Sequence, residues 1–395
     1  MSQLKVNTIR HTGASSDAIT LASDGTATGK FTNLPGRNLI VNGSCTVAQR
    51  GTSSTSDGIV AVDRFTTSIA GTDENPTTSQ VEVTSADPGP WEKGFRKALR
   101  ITNGNQTGGA GAADRIVIQY KIEAQDIARS GWDYTSSSSY ITLSFWCKSH
   151  SVAQNFYGHF TSVDGTAQSY IFETGSLTAA TWKYVTVKIP GNSNITVDDN
   201  TDQGFYFEWV LFRGTDKTAA GKALNTWAAF DGSARVPDMT STWYTTNDAQ
   251  FEITGVQLEV GDTATDFEHL SYGDDLAKCQ RYYYEIARGD DKVIGHTMFY
   301  NDTSLRTAIR YPVQMRTTPS VKTSNDSGHF SVYAGSGSGS GTQSTTFDTF
   351  NTSPPFSDNN AIVVASTVSD NNQNGQAGYI ATQHANAYLC LDAEL

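Results

Sequence analysis

Along FEITGVQLEV, residues 251–260, apolar Phe251 and Ile253 alternate with polar Glu252 and Thr254. After Gly255 the order resumes one step out of phase, with Val256 and Leu258 apolar and Gln257 and Glu259 polar. A period of two marks a strand with one buried face, and a slip at glycine predicts a β-bulge or corner bend where a Cβ would not fit. ITLSFWCK repeats the pattern: Ile141, Leu143, Phe145 and Cys147 form an inner set, and Thr142, Ser144, Trp146 and Lys148 an outer one. Further strand-like runs at 115–122, 155–162, 169–173, 182–189 and 204–213 are separated by Gly/Asn/Ser/Asp turns, and NLIVNG at 38–43 opens the series. Seven or more short strands without amphipathic helices between them predict an all-β, antiparallel sandwich.

Three segments flank it. Residues 1–37 hold two short alternating runs, 4–9 and 18–22, before Pro35 and Gly36. Such hairpin-sized pieces are marginal alone and need either copies of themselves or a larger assembly. After the sandwich (38–273), Asp274 and Asp275 suit a helix N-terminus, and Leu276, Cys279 and Tyr283 follow at helical spacing, predicting a linker helix over 274–283. Strand-and-turn text then resumes over 284–395 as a smaller C-terminal β-sandwich, in which the glycine- and serine-rich 335–346 reads as a loop or exposed tip.

Length and composition narrow the function. A chain of 395 residues exceeds one compact core, so two or three domains are expected. With a net charge of −12 and no basic run, nucleic acid and anionic membrane are disfavoured as partners. No apolar run near residue 1 has the roughly 7–15 residues of a signal peptide, and none elsewhere the roughly 18 of a membrane span; release by lysis within a virus particle is one route out of a cell. Cys45, Cys147, Cys279 and Cys390 are spread singly and read as buried free thiols, and the seven histidines, equally scattered, as surface or interface residues.

NLIVNGSCTVAQRG…VDRF, SFWCKS, TWKYVTVKIP and, above all, ITGVQLEVGDTATDFEHLSYGDDLAKCQRYYYE resemble a module of bacteriophage tail-fibre and other virion surface proteins, similar in strand order to jelly-roll carbohydrate-binding modules. LKVNTIRHTGASSDAITLASDGTATG resembles the attachment segments of marine, cyanophage-like fibres, and VQMRTTPSV with AGYIATQHANAYLCLDAEL resembles tip domains that follow the module. The resemblance implies a virion protein of the phage tail, a homotrimer attached to other tail or virion proteins through residues 1–37 and contacting host surface polysaccharide. Head-decoration or collar protein and glycan-degrading tail spike remain alternatives.

No catalytic motif is present: the sequence has no GxSxG, HExxH, Walker A or strand-turn-helix GxGxxG. Carboxylate pairs such as Glu252/Glu259 and Asp231/Glu208 could serve glycoside hydrolysis, but a chain with 40 carboxylates offers many such pairs, and the expectation is that the chain is not an enzyme. Sugar binding needs flat apolar platforms beside hydrogen-bonding edges. The candidates are Trp146, Tyr206, Glu208, Gln257 and Glu259 on strands, and Trp132, Tyr134, Trp227, Asp231, Trp243 and Tyr244 in loops, whereas Phe205 and Trp209 belong to the core. No cofactor is expected. Asp198–Gly204 alternates oxygen ligands, but Trp209 stands where an EF-hand has Glu, so an Asx turn is the simpler reading, although jelly-roll relatives would permit a structural calcium.

Overall fold

The computed structural model describes residues 6–14, 17–29, 35–301, 304–324, 328–335, 342–347, 350–352, 358, 360–367 and 375–395. The chain is almost entirely β. One six-stranded sheet has the order Trp227–Ala229, Gln168–Glu173, Tyr157–Ser162, Gln203–Arg213, Arg115–Glu123, Phe65–Ala70. The second has the order Lys183–Pro190, Tyr140–Ser149, Gln250–Val260, Lys97–Thr102, Thr77–Glu82, Ser53–Ser54. Successive strands repeatedly cross from one sheet to the other and pair antiparallel, which gives a jelly-roll sandwich.

Alternation fills the space between the sheets. Phe205, Phe207, Trp209 and Leu211 from the first sheet meet Leu143, Phe145, Ile253 and Leu258 from the second, all buried. Phe160 stacks on Phe205 and Phe207 with ring centroids 4.5 and 4.3 Å apart. All four cysteines are buried and unpaired, and burial pushes the Cys45 and Cys147 thiols up to about 12.

The bulge falls where the phase slips. Registers with Tyr140–Ser149 shift between Thr254 and Gln257, and Gly255 has φ +63°. On the other side the strand pairs with Lys97–Thr102 only over residues 250–253. Beyond the bulge its backbone groups go to 38–43, which is irregular chain and not the expected strand. There the Leu39 and Val256 amides donate to the Leu258 and Gly43 carbonyls, both at 2.9 Å, and Asn38 uses its side chain to donate to the Val256 carbonyl and accept from the Leu258 amide. A segment that patches a bulged edge with a side-chain amide cannot keep a regular ladder.

The linker helix spans Tyr272–Gln280, two to three residues earlier than expected. Ser271 is the cap, accepting from the Asp274 amide at 3.2 Å, so the two aspartates fall within the first turn. Tyr283 is drawn into the next strand, Tyr283–Arg288, where it pairs with Asp392. Helix and sandwich are tied by Glu123, which accepts two bonds from Arg281 at 2.8 and 2.7 Å and one from the Tyr282 hydroxyl at 2.6 Å.

In the C-terminal part a three-stranded sheet (Tyr283–Arg288, Tyr388–Asp392, Ser320–Thr323) and a seven-stranded sheet share a core that includes Phe299, Leu305, Phe330, Ile380, Leu389 and Leu391. Thr342–Phe347 pairs with Phe330–Gly335 as a strand, so the expected loop over 335–346 is corrected there; 336–341 lies outside the described residues. Polar threonine and serine are admissible on an outer strand of a sheet. Near the N-terminus, Thr8–Ile9, Ile19–Leu21 and Ala27–Gly29 form a three-stranded sheet that leaves Val6, Ile9 and Leu21 exposed.

Candidate functional site

The outward face of the second sheet carries the site. Trp146 points away from the core because Phe145 and Cys147 point into it. Its cross-strand neighbours are Tyr184 on one side and Thr254 on the other. The Trp146 and Tyr184 ring centroids are 5.1 Å apart, and Tyr184 remains 41% exposed, its phenol raised by burial of the remainder. Trp146 is half-buried because residues 87–94 fold over it. Gly89, at φ +93°, passes so close that a Cβ would lie 2.7 Å from the indole. Asp87 pins that loop: it accepts from Lys148 Nζ at 2.7 Å and Trp182 Nε1 at 2.9 Å, and despite partial desolvation these bonds hold its carboxyl well below the usual range.

Opposite the aromatic pair, the strand leaving the bulge turns into residues 261–269, which fold back as the second wall. Phe95, Phe267 and His269 pack there with centroids 4.8–5.1 Å apart. Between the walls is a cleft of about 1020 Å³ whose floor and rim include Trp146, Tyr184, Ser144, Arg37, Lys93 and Asp266. Arg37 is fixed by bonds to Thr265 Oγ1 at 3.1 Å and the Asp266 carbonyl at 2.5 Å, while Lys93 and Asp266 face each other at 3.4 Å on the exposed rim. An exposed ring, a second ring edge and charged donors and acceptors on the rim are the groups that a pyranose, with C–H faces and hydroxyl edges, requires.

The sequence singled out Trp146 but missed Tyr184, Phe95, Phe267 and Arg37. Tyr184 was legible: it alternates with core Val185 and Val187 in register with Thr186 and Lys188. The others come from loops distant in sequence.

Several expected positions are corrected by burial. Gln257 is 0% exposed, donating to Glu259 Oε1 at 2.9 Å and accepting from the Glu268 amide at 2.8 Å, because residues 261–269 cover what alternation alone leaves open. Glu259 is likewise spent on Gln257 and on the Thr265 amide and hydroxyl. Trp243 and Tyr244, in the short helix Thr242–Thr245, are fully buried; Tyr244 stacks on Phe212 and donates to Asp114 at 2.9 Å. Trp132 is buried and Tyr134 packs on the core edge. Trp227 is half-buried against Phe160 and Tyr170 and donates to the Pro190 carbonyl at 2.7 Å, on the other sheet from Trp146 and away from the cleft.

Tyr206 and Glu208 belong to the other sheet's outer face, away from the cleft. Glu208 is 3% exposed and bonded to His159 at 2.9 Å, Arg213 at 2.6 Å and Arg235 at 3.4 Å. Burial opposes its ionisation, but these partners prevail and hold the carboxyl down at about 2. Tyr206 is half-buried against the His159 ring. Asp231 is tied to its own turn through Ser233, and Glu252 is enclosed by Arg100, Lys148 and His150. Neither carboxylate pair is arranged as two free carboxyls across a cleft. At 198–204, Asn200 Oδ1 accepts from the Asp202 amide at 2.9 Å, an Asx turn, and Asp199 pairs with Arg129. Among the described residues no three metal-ligating side chains converge.

No protein-family model and no curated protein matches the chain. Among solved structures, the enzymatically active domain of tailspike protein 4 from bacteriophage CBA120 is similar at 11% identity and TM-score 0.30; the match covers 58% of this chain but only 22% of that one. A family 11 carbohydrate-binding module of Clostridium thermocellum matches at 13% identity and TM-score 0.25, over 55% of this chain and 98% of that one. The CBM22-1 xylan-binding domain of Paenibacillus barcinonensis Xyn10C matches at 8% identity and TM-score 0.24, over 55% and 97%. At these values the likeness carries no inference about ligand or assembly.

Proposed function

We propose that the chain is a non-enzymatic glycan-binding protein of a phage virion, a trimeric tail fibre held to the particle by residues 1–37 and contacting host surface polysaccharide through the cleft between Trp146, Tyr184 and residues 261–269. The observation that carries the binding role is the exposed Tyr184 ring beside Trp146 at the floor of a polar-rimmed cleft. Binding without hydrolysis fits the carboxylates described above, which are engaged in ion pairs and short bonds. Exposure of Val6, Ile9 and Leu21 on a small sheet supports completion of that sheet by neighbouring copies. Three weak sites on one fibre raise apparent affinity by roughly 10²–10⁴-fold without new contacts.

Purified full-length protein applied to a bacterial glycan array, followed by an assay for new reducing ends on every bound glycan, tests both halves. The expected result is retention without cleavage. Absence of any bound glycan overturns the binding role, and release of reducing ends favours a degrading spike. Light scattering that gives a monomer would remove the trimer.

A further inference from the structure

A second cleft, of about 590 Å³, opens beside the aromatic one, and Arg37 and Val260 line both. Its charge is opposite to that of the chain. Arg37, Arg129, Lys278 and Arg281 border it against a single lining carboxyl, Asp126. The aromatic cleft has Arg37 and Lys93 against Glu92, Glu259, Asp262 and Asp266, and the whole chain is −12. A local concentration of cations on so acidic a protein is a focused attraction for an anion.

The four cations are not equally committed. Arg281 is bidentate to buried Glu123, and Arg37 is fixed by Thr265 and Asp266. Arg129 pairs with Asp199 at 2.8 Å where both are more than half exposed, a contact of small net worth. Lys278, in the last turn of Tyr272–Gln280, has no ion-pair partner among the described residues. Burial, reinforced by Glu123, raises the Asp126 carboxyl to about 6, so this single lining carboxyl stays charged at neutral pH and is outnumbered four to one by the cations.

We infer that the glycan bound in the aromatic cleft is acidic, and that its carboxylate or sulfate substituent lies across the Arg37 ridge in the basic cleft, held by Lys278 and Arg129. This rests on the binding role proposed above. A chain of several sugars crossing Arg37 places one residue against the Tyr184 ring and a charged residue further along among the cations, since Val260, which lines both clefts, lies five strand positions from the level of Tyr184; a neutral glycan would leave Lys278 without a partner.

The test uses full-length protein on immobilised matched pairs: galacturonan against its methyl ester for carboxylate, and dextran sulfate against dextran for sulfate. Binding of an acidic member at least tenfold tighter than its neutral partner, weakening from 50 to 500 mM salt, is expected, and the pair that responds identifies the anion. The double variant R129E/K278E should lose at least tenfold for that acidic member, and W146A should lose it too. K217E/K322E, with the same change in net charge but at residues that line neither cleft, should not. Equal binding of neutral and acidic members overturns the acidic assignment while leaving the glycan role intact, and R129E/K278E behaving as K217E/K322E overturns the location. If none of these probes and nothing on the bacterial array is bound, the binding role itself falls and this inference with it.

Discussion

Gly255 positions one wall of the cleft, and its replacement by alanine isolates that role. At φ +63° an L-residue pays about 1–2 kcal/mol for the left-handed backbone. The added methyl would also lie 2.6–3.1 Å from the Phe95 ring, which is 2% exposed and packed against Phe267 and His269, so the ring can yield only by disturbing those contacts. Overpacking of this kind costs about 1–3 kcal/mol, and the two effects together come to roughly 2–5 kcal/mol. Urea unfolding of Gly255→Ala should show a lower midpoint at unchanged slope. The double variant with Phe95→Leu should recover part of the loss, the steric part, and leave the backbone part. A loss below about 0.5 kcal/mol, within the range of an ordinary surface substitution, would refute the idea that the bulge needs glycine and that Phe95 is held against it.

Two further substitutions probe the charge networks. The Glu208 carboxyl is held at about 2 against an ordinary 4.5, so the stability it contributes is complete above pH 4.5 and lost as pH falls toward 2; the difference corresponds to about 3 kcal/mol. Glu208→Gln should flatten the acid limb of a pH–stability curve over that window, and an unchanged limb would show that His159, Arg213 and Arg235 do not hold the carboxylate. Arg64, 3% exposed, lies over the Tyr282 ring at 3.5 Å, donates to the Lys121 carbonyl at 2.8 Å and pairs with Glu394. Arg64→Ala should cost about 3–5 kcal/mol and separate the unfolding of the C-terminal part from that of the sandwich in calorimetry; a single unshifted transition would contradict its role as the joint.

How much of this was legible in the sequence depends on what set each residue's environment. Where two sheets face each other, side chains must alternate, so Ile141–Cys147 and Phe251–Leu258 announced their inner and outer sets, and the slip at Gly255 marked the bulge. Alternation says which way a side chain leaves its strand and nothing about what later covers it. Gln257 does point outward, yet the 261–269 loop buries it, and Glu208 is enclosed by His159, Arg213 and Arg235. Loop tryptophans carry no period at all, so Trp243 and Trp132 gave no sign that they plug the ends of the core. The cleft draws on residues 29, 37, 92–95, 144, 146, 184, 255, 259–267 and 269. Only the fold brings these together, which is why the sequence picked out Trp146 and Glu259 without their neighbours.

The most direct measurement is the equilibrium affinity of full-length wild type and Tyr184→Ala for the glycan best retained on the array, with melting temperatures recorded alongside. Tyr184 is outside the core, so its removal should leave melting within a few degrees while affinity falls at least tenfold. Unchanged affinity with an intact fold would contradict the assignment of the cleft as the place where sugar is bound.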